Sequence, residues 1–248
     1  MSVNTTPSLV TVGDRTASEP RILADLLAGS GVALAAGCTV AGAVAAEILT
    51  PALPRARRTE YRWHAERAVG PDDTFTVESV VTRVAGNRIE RYVRLLDDAG
   101  SVRESGTETW LLDSPEDAAP TPELDFCTAE WGAALRDSLE SDRDFTSSLS
   151  TWDGTIGLRC GDRELHLRIY KGRIVDVTRR TPHGATFTFV APAHTWVDLV
   201  LSDGNDFMRR AISGEFSSTG DGYEYLRLTK PLNTIITHAR ALARKARS

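Results

Sequence analysis

Cysteine is scarce here. The chain has 248 residues and three cysteines, Cys38, Cys127 and Cys160, far apart and without a CxxC pair. That usage points to a reducing compartment and away from a structural zinc site. A basic excess is also missing: 29 Lys and Arg stand against 34 Asp and Glu, a formal net charge of −5. The broad positive surface that phosphate-backbone binding requires is therefore absent, and a nucleic-acid role is excluded. GxGxxG, GxxxxGK[ST], HExxH and GxSxG do not occur, which leaves nucleotide, zinc-protease and hydrolase-elbow chemistry without support. His166, His183 and His194 show no ligand spacing, so no metal site and no cofactor are expected.

A strongly apolar run is lacking too. Leu26 to Ala46 carries no charge over 21 positions, but eight are Ala, four Gly, and only six Leu or Val. Each Leu or Val contributes only roughly −0.3 to −0.6 kcal/mol at mid-membrane, so no stable span is expected. A secretory signal is poor because Asp14, Arg15, Glu19, Arg21 and Asp25 crowd the segment before the run. The small side chains suit a buried helix lying close against a sheet, and the default localisation is cytoplasmic.

What is present is ordinary globular material, 41% hydrophobic and 25% charged. Residues 113–125 read DSPEDAAPTPELD, an acidic segment with Pro115, Pro120 and Pro122. Proline fixes φ and removes amide donors, and the carboxylates stay solvated, so this is a linker between residues 1–112 and 126–248.

In the first half a helix is expected from Pro20, with Ser18 as N-cap, and another over Thr39 to Leu49, stopped by Pro51 and Pro54. Strands are expected at Thr74–Val84, Arg88–Leu96 and Ser101–Leu112, with a turn at Gly86-Asn87. In the second half Trp131, Leu135 and Leu139 mark one face of a helix over Thr128 to Glu140. Strands are expected at Thr155–Cys160, Glu164–Ile169, Ile174–Arg179 and Thr186–Val190, then two short helices, a short strand at 214–220 and a final helix bent at Pro231. Arg240, Arg244, Lys245 and Arg247 give that helix a basic end, favourable for its dipole or attractive to an acidic surface. The expected class is α+β.

Residues 205–236 read NDFMRRAISGEFSSTGDGYEYLRLTKPLNTII, after a YKGR turn and ATFTFVAPAHTWVDLV. With Gly214, Phe216, Gly220 and Asp221 in place, this order resembles the sterol-carrier-protein family over roughly 126–240. The resemblance implies a five-stranded sheet under helices and a tunnel for a fatty-acyl or sterol ligand. In the first half GCTVAGAVAAEIL, then EYRWHAERAVGPDDTFTVESVVTRV, then RYVRLLDDAGSVRESGTETWLL resembles a hot-dog domain of the MaoC-like hydratase group over roughly 8–112. That resemblance implies an antiparallel sheet around a central helix, acyl-thioester ligands of coenzyme A or a carrier protein, and a homodimer paired through this half. Two departures stand out. Asp72 occupies a usual glycine position, and AGSGVALAAGCTV lacks the Asp, the His and the Asn-Pro of the hydratase pair. Standard enoyl-thioester hydration is therefore not implied.

Several side chains remain as candidates, each with an ordinary alternative. Glu47 is a helix carboxylate suited to act as base or nucleophile, or a charge that ends the buried part of its helix. His64 is the only histidine of the first half, an imidazole base or a solvated strand residue. Cys38 and Thr39 sit at a helix start, where free amides can cradle a thioester carbonyl or a Thr can simply cap. Trp131, Trp152, Trp196, Phe207 and Phe216 line a tunnel or form core. Three functions stay open. One is a two-domain protein that holds or transforms a hydrophobic acyl, polyketide-like or sterol-like substrate. The second is a thioesterase or dehydratase using Glu47 or His64. The third is a non-catalytic lipid carrier with a dimerising first half.

Overall fold

The computed structural model describes residues 9–28, 39–114, 116, 118 and 121–248, and the chain divides into two compact units, 1–120 and 121–248. Cys38 lies outside the described residues, as does the side chain of Thr39.

Unit 1 begins with two short strands, β1 (Arg15–Ala17) and β2 (Arg21–Ile22), and a five-residue helix α1 (Leu23–Leu27). Helix α2 (Thr39–Leu49) and strands β3 (Ala56–Ala65), β4 (Thr74–Ala85), β5 (Arg88–Asp97) and β6 (Val102–Leu112) complete it. The sheet is antiparallel in the order β1-β4-β5-β6-β3, with β2 also on β4. Its register aligns side chains into rows across the strands. Val77, Leu95, Glu104 and Ala65 form one row; Ser79, Val93, Gly106 and Trp63 the next; Val81, Arg91, Glu108 and Tyr61 a third. Ala41, Ala45 and Ala46 of α2 share one core with Phe75, Val77, Val93 and Leu95. Small side chains on α2 are what let its backbone come this close.

One expected start is corrected. Ser18 does not cap a helix: its hydroxyl donates to the Glu19 carbonyl and accepts the Val77 N–H, so it ties the chain to β4. The helix begins later, at Leu23, behind Ile22, which offers no side-chain cap.

In unit 2 a short 3-10 turn (Pro122–Leu124) leads to α3 (Ala129–Glu140), capped by the Thr128 hydroxyl, which accepts the Trp131 N–H. Helix α4 (Arg143–Ser148) follows, then β7 (Asp153–Cys160), β8 (Arg163–Tyr170), β9 (Arg173–Thr178) and β10 (Phe187–Ala191). Helices α5 (Ala193–Leu201) and α6 (Phe207–Ile212), strand β11 (Ser217–Gly220), and helices α7 (Gly222–Arg227) and α8 (Thr229–Arg247) close the unit. The sheet order is β11-β10-β7-β8-β9, antiparallel except where β10 runs parallel to β7. Leu165, Leu167 and Ile169 of β8 alternate onto the helix side of the sheet, fully buried. A Cβ at Gly132 would lie 2.5 Å from Leu165, which shows how closely α3 lies on β8.

Two details differ from the sequence reading. The break in the last helical stretch falls at Leu228, and Pro231 sits in the first turn of α8, where its missing N–H has no intrahelical partner to lose. Arg240 is 3% exposed rather than solvated. Its guanidinium donates to the Leu199 carbonyl and the Ser202 hydroxyl, tying α8 to the C-terminus of α5. No helix among the described residues is long and apolar enough to cross a membrane.

Candidate site beneath the central helix

The helix-facing side of the first sheet is not uniformly apolar. Alternation along β6 turns Glu104, Gly106, Glu108 and Trp110 to the same side, and Arg91 of β5 joins them. Glu104, Glu108 and Arg91 are 0%, 3% and 3% exposed. Charged side chains are almost never this buried unless paired, so each must be accounted for.

Glu108 and Arg91 neutralise each other. Arg91 Nε donates to Glu108 Oε2 at 2.6 Å, and a second Arg91 N–H reaches the Pro51 carbonyl at 2.7 Å. The Trp110 indole N–H also donates to Glu108 Oε2, at 2.9 Å. Arg58 donates to Glu108 Oε1 at 3.1 Å and to Glu47 Oε1 at 2.7 Å, so it bridges β6 and α2. Its guanidinium lies 4.7 Å from the centre of the Tyr61 ring. Burial, with Glu108 close by, pushes the Tyr61 hydroxyl well above its ordinary value. The hydroxyl stays neutral and donates to the Ala43 carbonyl of α2 at 3.3 Å.

Glu104 is different. Its Oε2 accepts the Trp63 indole N–H at 2.7 Å and its Oε1 accepts the Val69 amide at 2.9 Å. No cation pairs with it among the described residues. Gly42 of α2 lies directly over this carboxyl group: a Cβ there would be 2.2 Å from Oε2. Unit 1 thus carries a wholly buried carboxyl group, held by two N–H donors and pressed against the first half of α2.

The residues singled out in the sequence are dispersed. Glu47 is on α2 with its side chain 57% exposed and ion-paired to Arg58. His64 is exposed on the edge strand β3, opposite Ser105. It lies six residues along β3 from Arg58, about 20 Å at the usual strand rise. The aromatic residues of unit 2 pack on one another. Phe189 and Phe216 stack at 4.4 Å, and Trp196 meets Trp131, Phe189 and Phe216 edge-on at 6.4, 5.7 and 5.7 Å. Phe207 meets Phe189 at 5.3 Å. The Trp152 indole donates to Glu224 at 2.7 Å and that of Trp196 to the Arg159 carbonyl at 2.7 Å. A cleft of about 670 Å³ on unit 2 is lined by residues of α3, α4 and the β8–β9 hairpin, among them Arg136, Lys171 and Arg173, and by none of these aromatics. No group of three or more His, Cys, Asp or Glu able to hold a metal occurs among the described residues.

Sequence reading missed Glu104 and Glu108. The signal was there: in VRESGTETWLL they share parity with Gly106 and Trp110. Two carboxylates on the parity of an expected core face needed buried partners, which only the register supplies.

No family model and no curated protein matches the chain. Solved structures similar to parts of it include sterol carrier protein 2, at 16% identity and a TM-score of 0.41, covering 47% of this chain and 98% of that one. R-hydratase PhaJ1 from Pseudomonas aeruginosa aligns at 16% identity and a TM-score of 0.35, covering 42% and 83%. A MaoC-like dehydratase from Rhodospirillum rubrum aligns at 15% identity and a TM-score of 0.34, covering 42% and 93%. The structural neighbours thus include members of both groups that the sequence resembles.

Proposed function

We propose that this chain binds a hydrophobic acyl group, carried as a thioester of coenzyme A or a carrier protein, or a polyketide-like or sterol-like equivalent. In this reading residues 1–112 are the hot-dog-like unit and residues 126–248 the sterol-carrier-like unit, joined by the acidic linker 113–125. The observation that carries the reading is Glu104. Turnover of a bound thioester needs a group that can pass a proton, as binding alone does not. Glu104 is the carboxyl group of unit 1 that is buried, held by N–H donors, and free of a cationic partner among the described residues. In this reading α2 shifts off Glu104 to admit substrate, and Glu104 takes the role for which the sequence offered Glu47 and His64. Cys38 and Thr39 remain proposed contacts for the thioester carbonyl, and Trp152, Trp196, Phe207 and Phe216 proposed contacts for the chain.

A second reading is a non-catalytic carrier with unit 1 serving for homodimerisation. The separation of Glu47 from His64 favours it, because no acid/base pair is assembled from those two. One experiment divides the readings. The purified protein is incubated with saturated, enoyl and hydroxyacyl thioesters of several chain lengths and the products are weighed by mass spectrometry. Hydrolysis or the gain or loss of one water is expected, reduced roughly 10²–10⁴-fold in Glu104→Gln, the share a general acid or base supplies. Retained ligand without turnover would leave the carrier. Turnover undiminished in Glu104→Gln but lost in Glu47→Ala or His64→Ala would return the chemistry to those residues.

A further inference from the structure

A second constellation lies in unit 2, on the outer side of three helices. The Ser138 hydroxyl of α3 is 2.7 Å from His238 Nδ1 of α8. His238 Nε2 is 2.9 Å from Asp142 Oδ2 at the N-terminus of α4. The other carboxylate oxygen, Asp142 Oδ1, accepts the Asp144 and Phe145 amides at 2.8 and 3.0 Å. From these observations we propose that Ser138 is a nucleophile, His238 its general base and Asp142 the residue that positions the base, forming an acylation site for activated acyl groups.

The tautomer follows from the partners. The Phe145 amide, with His238 and the Asp144 amide, holds the Asp142 carboxyl below its ordinary value, so it is an acceptor only. Nε2 of neutral His238 must then carry the proton, and Nδ1 presents its lone pair to the Ser138 hydroxyl. That is the protonation a base needs to take the serine proton. The site is also reachable: the side chains of His238 and Asp142 are 19% and 25% exposed.

The acyl donor is set by what Ser138 lacks. It sits inside α3, so its own amide is spent on the helix ladder and cannot help cradle an oxyanion. A donor of that kind is worth roughly 10²–10³-fold. The substrate class is therefore one already activated, a thioester or an aryl ester, rather than an amide. In the step, the Ser138 Oγ–carbonyl bond forms as the carbonyl–sulfur bond breaks. The serine proton passes to His238 Nδ1 and from there to the departing thiolate. Acyl-Ser138 and a free thiol remain, and no electrons change hands.

The test uses the full chain with p-nitrophenyl acetate and, separately, a fluorophosphonate probe, and locates any adduct by peptide mass spectrometry. An adduct on Ser138 is expected, formed roughly 10²–10⁴-fold more slowly in His238→Gln and absent in Ser138→Ala. Asp142→Asn keeps a good N-cap for α4, so it leaves the fold in place while slowing acylation. Absence of the Ser138 adduct from the unmodified protein, or an equal rate in the unmodified protein and His238→Gln, would overturn the proposal and leave the three residues a clamp between helices. Thermal unfolding followed by circular dichroism shows which variants remain folded, and the unmodified protein alone already decides whether Ser138 reacts.

Discussion

Replacing Gly42 by Ala would stabilise most helices. Ala exceeds Gly by about 1 kcal/mol in a helix interior. Here the added Cβ would lie 2.2 Å from Glu104 Oε2, 2.4 Å from its Cδ and 2.5 Å from Oε1. Glu104 has nowhere to go: it is fully buried and held by Trp63 and Val69. Overpacking of this kind costs about 1–3 kcal/mol. If the carboxyl group yields instead, a buried donor loses its partner at about 1–3 kcal/mol. Set against the helix gain, either cost leaves a net loss of up to about 2 kcal/mol. Urea unfolding of the full chain measures it, with unit 1 followed through hydrogen exchange in peptides of β6. A second background sharpens the test. In Glu104→Ala the obstacle is gone, so Gly42→Ala should there gain about 1 kcal/mol. Stabilisation by Gly42→Ala in the unmodified background would refute the packing of α2 against Glu104.

Glu108→Gln should cost about 3–5 kcal/mol in the same unfolding experiment, because it strands the buried Arg91 charge. Glu47→Ala removes only an exposed pairing partner of Arg58 and should change stability by less than about 1 kcal/mol. In unit 2 the Glu164 carboxyl is pushed up by burial, but hydrogen bonds from His166 and Arg159 outweigh that and hold it below its ordinary value. The folded-state value lies below the unfolded one, so this stabilisation is present at neutral pH and is lost as pH falls through the folded-state value. Acid titration of thermal stability should show a decline below about pH 4 that is shallower in Glu164→Gln.

Most strands of both sheets were legible because β-branched residues alternate between turns. Glycines at Gly86 and Gly161 adopt positive φ, as turns between those strands require. What stayed hidden depended on distant partners. The strands β1 and β2 are three and two residues long, too short to show a period. Ile89 and Val93 were read as apolar members of a strand together with Tyr92, but alternation puts Arg91 on their side and Tyr92 on the other. Arg91 can face the core only because Glu108 lies opposite it on β6, a fact of register rather than of composition. The same holds for Ser138, Asp142 and His238. The first two are four residues apart across the α3–α4 junction, yet His238 is 100 residues from Ser138, and only the packing of α8 on α3 brings it there.

The proposed function is the binding of hydrophobic acyl thioesters. Calorimetric titration of the full chain with long-chain acyl thioesters, at several temperatures and chain lengths, tests it most directly. Saturable binding is predicted, with a heat-capacity change that is negative and grows with acyl length as more apolar surface leaves water. No saturable binding at any chain length, or binding indifferent to the acyl chain, would contradict it.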